Sequence, residues 1–110
     1  MLKIAAFFTC LLSFNALALD AEQFEIGKKK SRVCMTCHGV DGESLIDPYP
    51  NLKDQRASYI LLALKAYKDH NRDHGFAILM QQQASSLTEQ DMKDIAYYFS
   101  NISKNEQQGK

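Results

Sequence analysis

The segment Cys34-Met35-Thr36-Cys37-His38 holds the densest chemistry in this sequence. Two thiols three residues apart lie on one face of a helical turn. With a histidine directly after, they match C-x-x-C-H, the pattern that tethers a c-type haem. The two sulfurs reach the two vinyl groups of one ring and form thioethers. His38 then sits under the iron as the proximal ligand. Three other uses of these residues compete with this one. A zinc site would add His70 and His74, but 32 residues separate Cys37 from His70, against about 12–15 in a finger. A thioredoxin-like dithiol needs a βαβ context, and the chain shows no strand alternation. A disulfide across one helical turn would be strained and would leave His38 idle.

An iron held on one side by His38 needs a sixth ligand to act as a low-spin carrier. The candidates are Met35, Met80, Met92, His70 and His74. Met35 lies between the tethering cysteines and cannot reach the far side of the ring. Met92 belongs to a hydrophobic staple. Met80 follows a loop, where it can turn inward, and is the expected ligand. His70 and His74 are the alternatives, both expected to face solvent. Methionine/histidine ligation raises the reduction potential and closes the iron to small ligands, which favours electron transfer over oxygen chemistry.

Three helices have to position these groups. The first is expected from the N-cap Asp20, through Phe24, Gly27 and Val33, to Cys37. Gly27 in mid-helix costs about 1 kcal/mol against Ala, so it signals close approach of another backbone. Residues 38–54, with Gly39, Gly42, Pro48 and Pro50, read as a loop. Asp54 is expected to cap a second helix with an inward stripe of Tyr59, Leu62, Ala63, Ala66 and Tyr67, ending near Asp69 or His70. A second loop carries His74, Gly75 and Met80. The last helix starts at Thr88, with Asp91 completing a capping box and Leu87 and Met92 a staple. Its core stripe is Met92, Ile95, Ala96, Phe99 and Ile102. Lys104 to Lys110 read as a frayed tail.

Length and charge narrow the setting. The chain has 110 residues, 13 Lys and Arg, and 13 Asp and Glu. One domain is expected, and a generic nucleic-acid binder, which would be basic, is excluded. With 45% hydrophobic residues it is no disordered acidic tail. Few Pro and Gly argue for helices over a β-sandwich. Residues 1–18 read as a secretory signal: Lys3 is the positive end, Ile4 to Leu12 the apolar run, and Ala16-Leu17-Ala18 the cleavage site. The apolar stretch is too short and too polar to span a bilayer. Cleavage after Ala18 would leave residues 19–110, the haem domain, with no stable membrane insertion. It would remove Cys10 and Lys3, the segment's one charge, and so shift the net charge from zero to −1. The run Lys28, Lys29, Lys30 and Arg32 is a solvated face or a docking patch.

Over this mature region the sequence resembles the class I c-type cytochromes of bacteria. The resemblance rests on Cys34 to Gly39, Asp41-Gly42, Tyr49-Pro50-Asn51-Leu52, Gln55, Tyr59, Leu64, Arg72, Met80, Leu87-Thr88 and Ile95 to Phe99. It is similar to one half of the tandem dihaem cytochromes, and to the cytochrome subunit of flavocytochrome sulfide dehydrogenases. It implies an all-α cytochrome c fold, with three main helices and loops around one covalently attached haem. It implies that the first and last helices cross at right angles, Gly27 meeting Tyr97 or Tyr98. It implies that a proline carbonyl, Pro50 with Pro48 as fallback, accepts the proton on the other nitrogen of His38. Relatives place glycine where this chain has Asp54 and His70, so the turns there are expected to differ.

The expected function is therefore that of a periplasmic monohaem electron carrier, not an enzyme. It would bind haem c through Cys34 and Cys37, ligate it by His38 and Met80, and exchange single electrons with redox partner proteins. Tyr49, Gln55, Tyr59 and Arg72 are candidates for bonding the propionates. The rival readings are a haem subunit of a periplasmic oxidoreductase, such as a flavocytochrome sulfide dehydrogenase, and a gas sensor or small peroxidase with Met80 off the iron.

Overall fold

No glycine or proline interrupts residues 1–26, so nothing starts a new helix at Asp20. In the computed structural model, which describes the backbone of residues 2–109 and the side chains of residues 16–109, α1 runs unbroken over Leu2–Lys30. The expected N-cap at Asp20 is therefore absent. The side chain of Cys10 and the last residue of the expected tail, Lys110, lie outside the described residues. Three lysines close α1, where the helix dipole favours cations. Ser31 marks a slight break before α2 (Arg32–His38). The ladder continues across it, from Ser31 N to Gly27 O at 2.9 Å and from Met35 N to Ser31 O at 3.1 Å. The motif is thus a rigid extension of α1.

The chain continues as α3 (Ala57–Lys68), α4 (Ala77–Ala84), α5 (Glu89–Ser100) and α6 (Ile102–Gln108), with no strand among the described residues. The all-α expectation holds. The three expected helices correspond to α1 with α2, α3 and α5. The other two were not expected. Met80 lies on α4, not in a loop. The expected tail is mostly α6.

The core forms where α1 crosses α5. Phe24, Met92, Ile95, Ala96, Tyr98, Phe99 and Ile102 are buried, so the whole expected stripe lies in the core, with Ile102 at the start of α6 rather than on the helix of the other four. A Cβ on Gly27 would lie 2.1 Å from Asp94 O and 2.9 Å from Tyr98 Cβ. Tyr98, not Tyr97, is the aromatic that Gly27 meets. The start of α5 is also as expected: Asp91 N donates to Thr88 Oγ1 at 3.0 Å and Thr88 N to Asp91 Oδ2 at 2.9 Å.

An ion pair with a buried carboxylate and a half-buried lysine reinforces the crossing. Asp94 is 5% exposed, and it accepts from Lys30 Nζ at 2.7 Å, Gln90 Nε2 at 2.9 Å and Gln23 Nε2 at 3.3 Å. Lys30 also lies 2.8 Å from Asp91. Lys30 therefore leaves the basic run and turns to α5, while Lys28, Lys29 and Arg32 stay exposed. Burial pushes the Asp94 carboxyl up, but the bonds from Lys30, Gln90 and Gln23 outweigh it and hold it below the usual range. Lys30, then Thr88, lowers Asp91 to about 2. Both carboxylates are depressed, so their contribution is present above the ordinary carboxylate range and lost as pH falls toward 2. Urea midpoints between pH 4 and 2 are expected to fall steeply. In Lys30→Met the midpoint is expected to be lower at pH 7, with a flatter fall below pH 4.

The second helix differs from expectation at its start and on its face. Arg56 precedes α3 and no side chain caps it. Asp54 stands in a left-handed turn, at φ 59°. Ile60 and Leu64 are buried, whereas Tyr59 and Leu62, expected inside, are 53% and 67% exposed. Both sets have helical spacing, and packing on α5 selects the former. At the other end Asn71 N donates to Ala66 O and His70 N to Tyr67 O. This is a Schellman motif whose left-handed residue, usually glycine, is His70, at φ 60°. Asp54 and His70 thus adopt the conformation that glycine would supply, and the positive-φ turns are kept. Left-handed backbone costs a non-glycine residue about 1–2 kcal/mol. Glycine gives back part of that as unfolded-state entropy. His70→Gly is expected to raise stability by about 0.5–1 kcal/mol in urea denaturation; a lower midpoint would show that the imidazole itself stabilises the turn.

Candidate haem site

Helix α2 brings the two thiols to consecutive turns, and both cysteines are free and half-buried. Burial pushes the Cys34 thiol up, and the nearby Cys37 adds to this. His38 is buried. Gly39 ends the helix at φ 92°, its N–H donating to Met35 O at 3.0 Å. A Cβ there would meet Glu43 O at 2.0 Å, so only glycine lets the chain turn back at this point. The return brings Pro50 O to 2.8 Å from His38 Nδ1. A carbonyl only accepts, so Nδ1 carries the proton and Nε2 keeps its lone pair for a metal. Pro50, not Pro48, is the prolyl carbonyl at this bond.

The loop holding Pro50 is itself pinned. Leu52 N and Lys53 N both donate to Gly42 O, at 2.7 and 3.1 Å. Ser44 N donates to Asn51 Oδ1 at 2.7 Å, and Ser44 Oγ lies 3.2 Å from Cys37 O. Sequence reasoning missed Ser44 and Asn51. In a Gly- and Pro-rich loop such residues read only as turn formers.

Met80, on α4, is partly buried against the core cluster. The His38 ring lies 6.2 Å from Tyr49, and Tyr49 lies 6.2 Å from Phe76, the residue before α4. An aromatic ladder thus links the motif to the start of the Met80 helix. His70 and His74 are exposed, as expected. The four propionate candidates have separate surroundings. Tyr49 belongs to the ladder. Gln55 is exposed and bonds Arg56 N. Tyr59 is exposed. Arg72 stacks on Tyr67 at 4.5 Å.

The donor set suits a haem. Two thiols, a preset imidazole and a thioether stand on segments that also expose Val33, Val40, Phe76 and Leu79. Such an apolar rim suits an apolar ring. Residues 24–103 match the cytochrome c family model. The chain belongs to the cytochrome c family. It is 45% identical over 74 residues to cytochrome c-554(548) of Halomonas halodenitrificans, covering 67% of this chain and 89% of that protein. It is 33% identical over 99 residues to cytochrome c4 of Pseudomonas aeruginosa, covering 90% of this chain and 48% of that one. A solved cytochrome c4 of Acidithiobacillus ferrooxidans aligns with a TM-score of 0.56 and 40% identity, over 61% of this chain and 37% of that one. The chain therefore spans about half or less of its c4 relatives. A fourth relative, 29% identical over 73 residues, 66% of this chain and 34% of that one, is the thiosulfate dehydrogenase electron acceptor of Stutzerimonas stutzeri. Cytochromes c hold haem c covalently through cysteines, and Cys34 and Cys37 stand in that arrangement. The resemblance to half of a dihaem c4 holds.

Proposed function

We propose that this cytochrome c is a periplasmic monohaem carrier that passes single electrons between redox proteins by outer-sphere transfer. The observation that carries the reading is the 2.8 Å contact between His38 Nδ1 and Pro50 O, beside two free thiols one turn apart. It orients the imidazole and strengthens it as a donor before any metal arrives. Cys34 and Cys37 would hold the haem as thioethers, and His38 Nε2 and the Met80 thioether would bind its iron. Haem iron supplies the one-electron ferric/ferrous couple, and the protein's residues anchor, orient and desolvate it. Ala16-Leu17-Ala18 supports export with cleavage after Ala18. Among the described residues no helix is long and apolar enough to cross a membrane. The Stutzerimonas relative's name supports a dehydrogenase as one donor. Exposed Lys28, Lys29 and Arg32 supply a local positive field for docking.

The test is an optical spectrum of the exported protein, oxidised, reduced and reduced under carbon monoxide, with a pyridine haemochrome. A c-type haemochrome and a reduced spectrum indifferent to carbon monoxide are expected. A carbon monoxide shift takes Met80 off the iron and favours ligand binding. Absence of haem from a host with working attachment machinery sinks the reading.

A further inference from the structure

We infer that Asp54 is a positioning residue for the proximal ligand: by clasping Ser103 on α6 it holds the Pro50 carbonyl against His38 Nδ1. The inference rests on the reading of His38 as that ligand. Residues 39–56 form the loop between α2 and α3, and much of this loop is exposed. Most of its polar bonds are internal, through Gly42, Ser44 and Asn51. These set the shape of the loop but do not fix where it stands against the helices. Three contacts do. Near the start, Tyr98 Oη donates to Val40 O at 3.2 Å. Leu52 packs on the core. Near the end, Asp54 makes the most bonds. Its amide donates to Phe99 O at 2.8 Å. One carboxylate oxygen accepts from Ser103 N at 3.0 Å and the other from Ser103 Oγ.

The clasp has two features of a built device. Asp54 makes it from φ 59°, a left-handed conformation that few residues other than glycine, asparagine and aspartate take. Its carboxylate also bonds the Ser103 N–H in the first turn of α6, where the orphan amides and the helix dipole favour an anion. The Ser103 bonds hold the carboxyl below its usual range, so the clasp is closed at neutral pH. Pro50 lies four residues before Asp54, and the intervening Leu52 and Lys53 are bonded to Gly42. Displacement of Asp54 therefore passes to Pro50 with little slack.

The consequence is electronic. A firm Nδ1–H bond makes His38 a stronger donor and stabilises ferric iron. A loosened clasp weakens that bond, so the reduction potential rises. Asp54→Gly removes the carboxylate, keeps the amide bond to Phe99 O and relieves the backbone. Ser103→Ala removes only the hydroxyl. The measurements, on holoprotein, are the reduction potential, the solvent exchange of the His38 Nδ1 proton by NMR, and the urea midpoint. Faster exchange is expected in Asp54→Gly, by about tenfold or more, because both charge-assisted bonds from Ser103 are lost. The potential should rise in both variants, and the double variant should show less than the sum. Unchanged exchange and potential with a lowered urea midpoint overturn the inference: Asp54 would then only tether α6. The wild-type spectrum separates this from failure of the underlying reading, because a protein without haem, or with His38 off the iron, overturns both.

Discussion

Gly27→Ala is expected to lower the stability of this cytochrome by about 3 kcal/mol, the upper end of ordinary overpacking. Two effects oppose each other. Alanine is the better helix former, by about 1 kcal/mol. The added Cβ, however, would stand 2.1 Å from the carbonyl oxygen of Asp94 and 2.9 Å from Tyr98 Cβ. The first neighbour is backbone and cannot rotate away. Relief requires α1 and α5 to move apart. That unpacks Phe24 from Tyr98, whose rings stand 5.1 Å apart, and stretches the Lys30–Asp94 pair. The loss therefore exceeds the gain in propensity. Urea denaturation of the holoprotein measures it directly. An equal or higher midpoint would mean that the helices pass each other without this close approach.

The second large effect belongs to Met80. Met80→Ala is expected to turn a ferrous protein indifferent to carbon monoxide into one that binds it, and to lower the reduction potential. The thioether favours ferrous iron, and its loss opens the sixth position. Met80 also packs on the core, so truncation costs stability as well. Met80→Leu separates the two: it keeps the volume, at a cost of less than about 1.5 kcal/mol, but has no sulfur. Both variants should bind carbon monoxide, and only the alanine should be much less stable. If neither binds it, another group holds the sixth position, His70 and His74 being the first to test.

The legible parts of this fold were local. The capping box of Thr88 and Asp91 lies within four residues, and the α5 stripe within one amphipathic helix. Both stand in the structure as in the sequence. So does Gly27, because a costly residue in mid-helix announces a contact. Illegible parts depend on distant partners. Helix α6 looked like a tail because the carboxylate that bonds its first turn belongs to Asp54. Asp54 itself was misread because the short side chain that suits an N-cap also suits a left-handed turn. Helix α4 is eight residues long with no side-chain cap, and left only a weak signal around Met80. Lys30 was grouped with its neighbours as a solvated face or docking patch, since Asp94 lies 64 residues away. At the site, the residue types of the motif were plain, and the arrangement of Pro50 was legible only through the resemblance.

The crossing of α1 and α5 also bears on how the protein is made. Gln23 and Lys30 meet Asp94 across 71 and 64 residues of chain, and Gly27 finds its partners on the same late helix. Nothing in the first two-thirds of the polypeptide can replace them. The core therefore closes only once Asp94 and its neighbours on α5 have been made, and long-range closure of this kind is slow. Until then the segment with both thiols is exposed and unpacked. In that unpacked state Cys34 and Cys37 are open to covalent attachment of the haem.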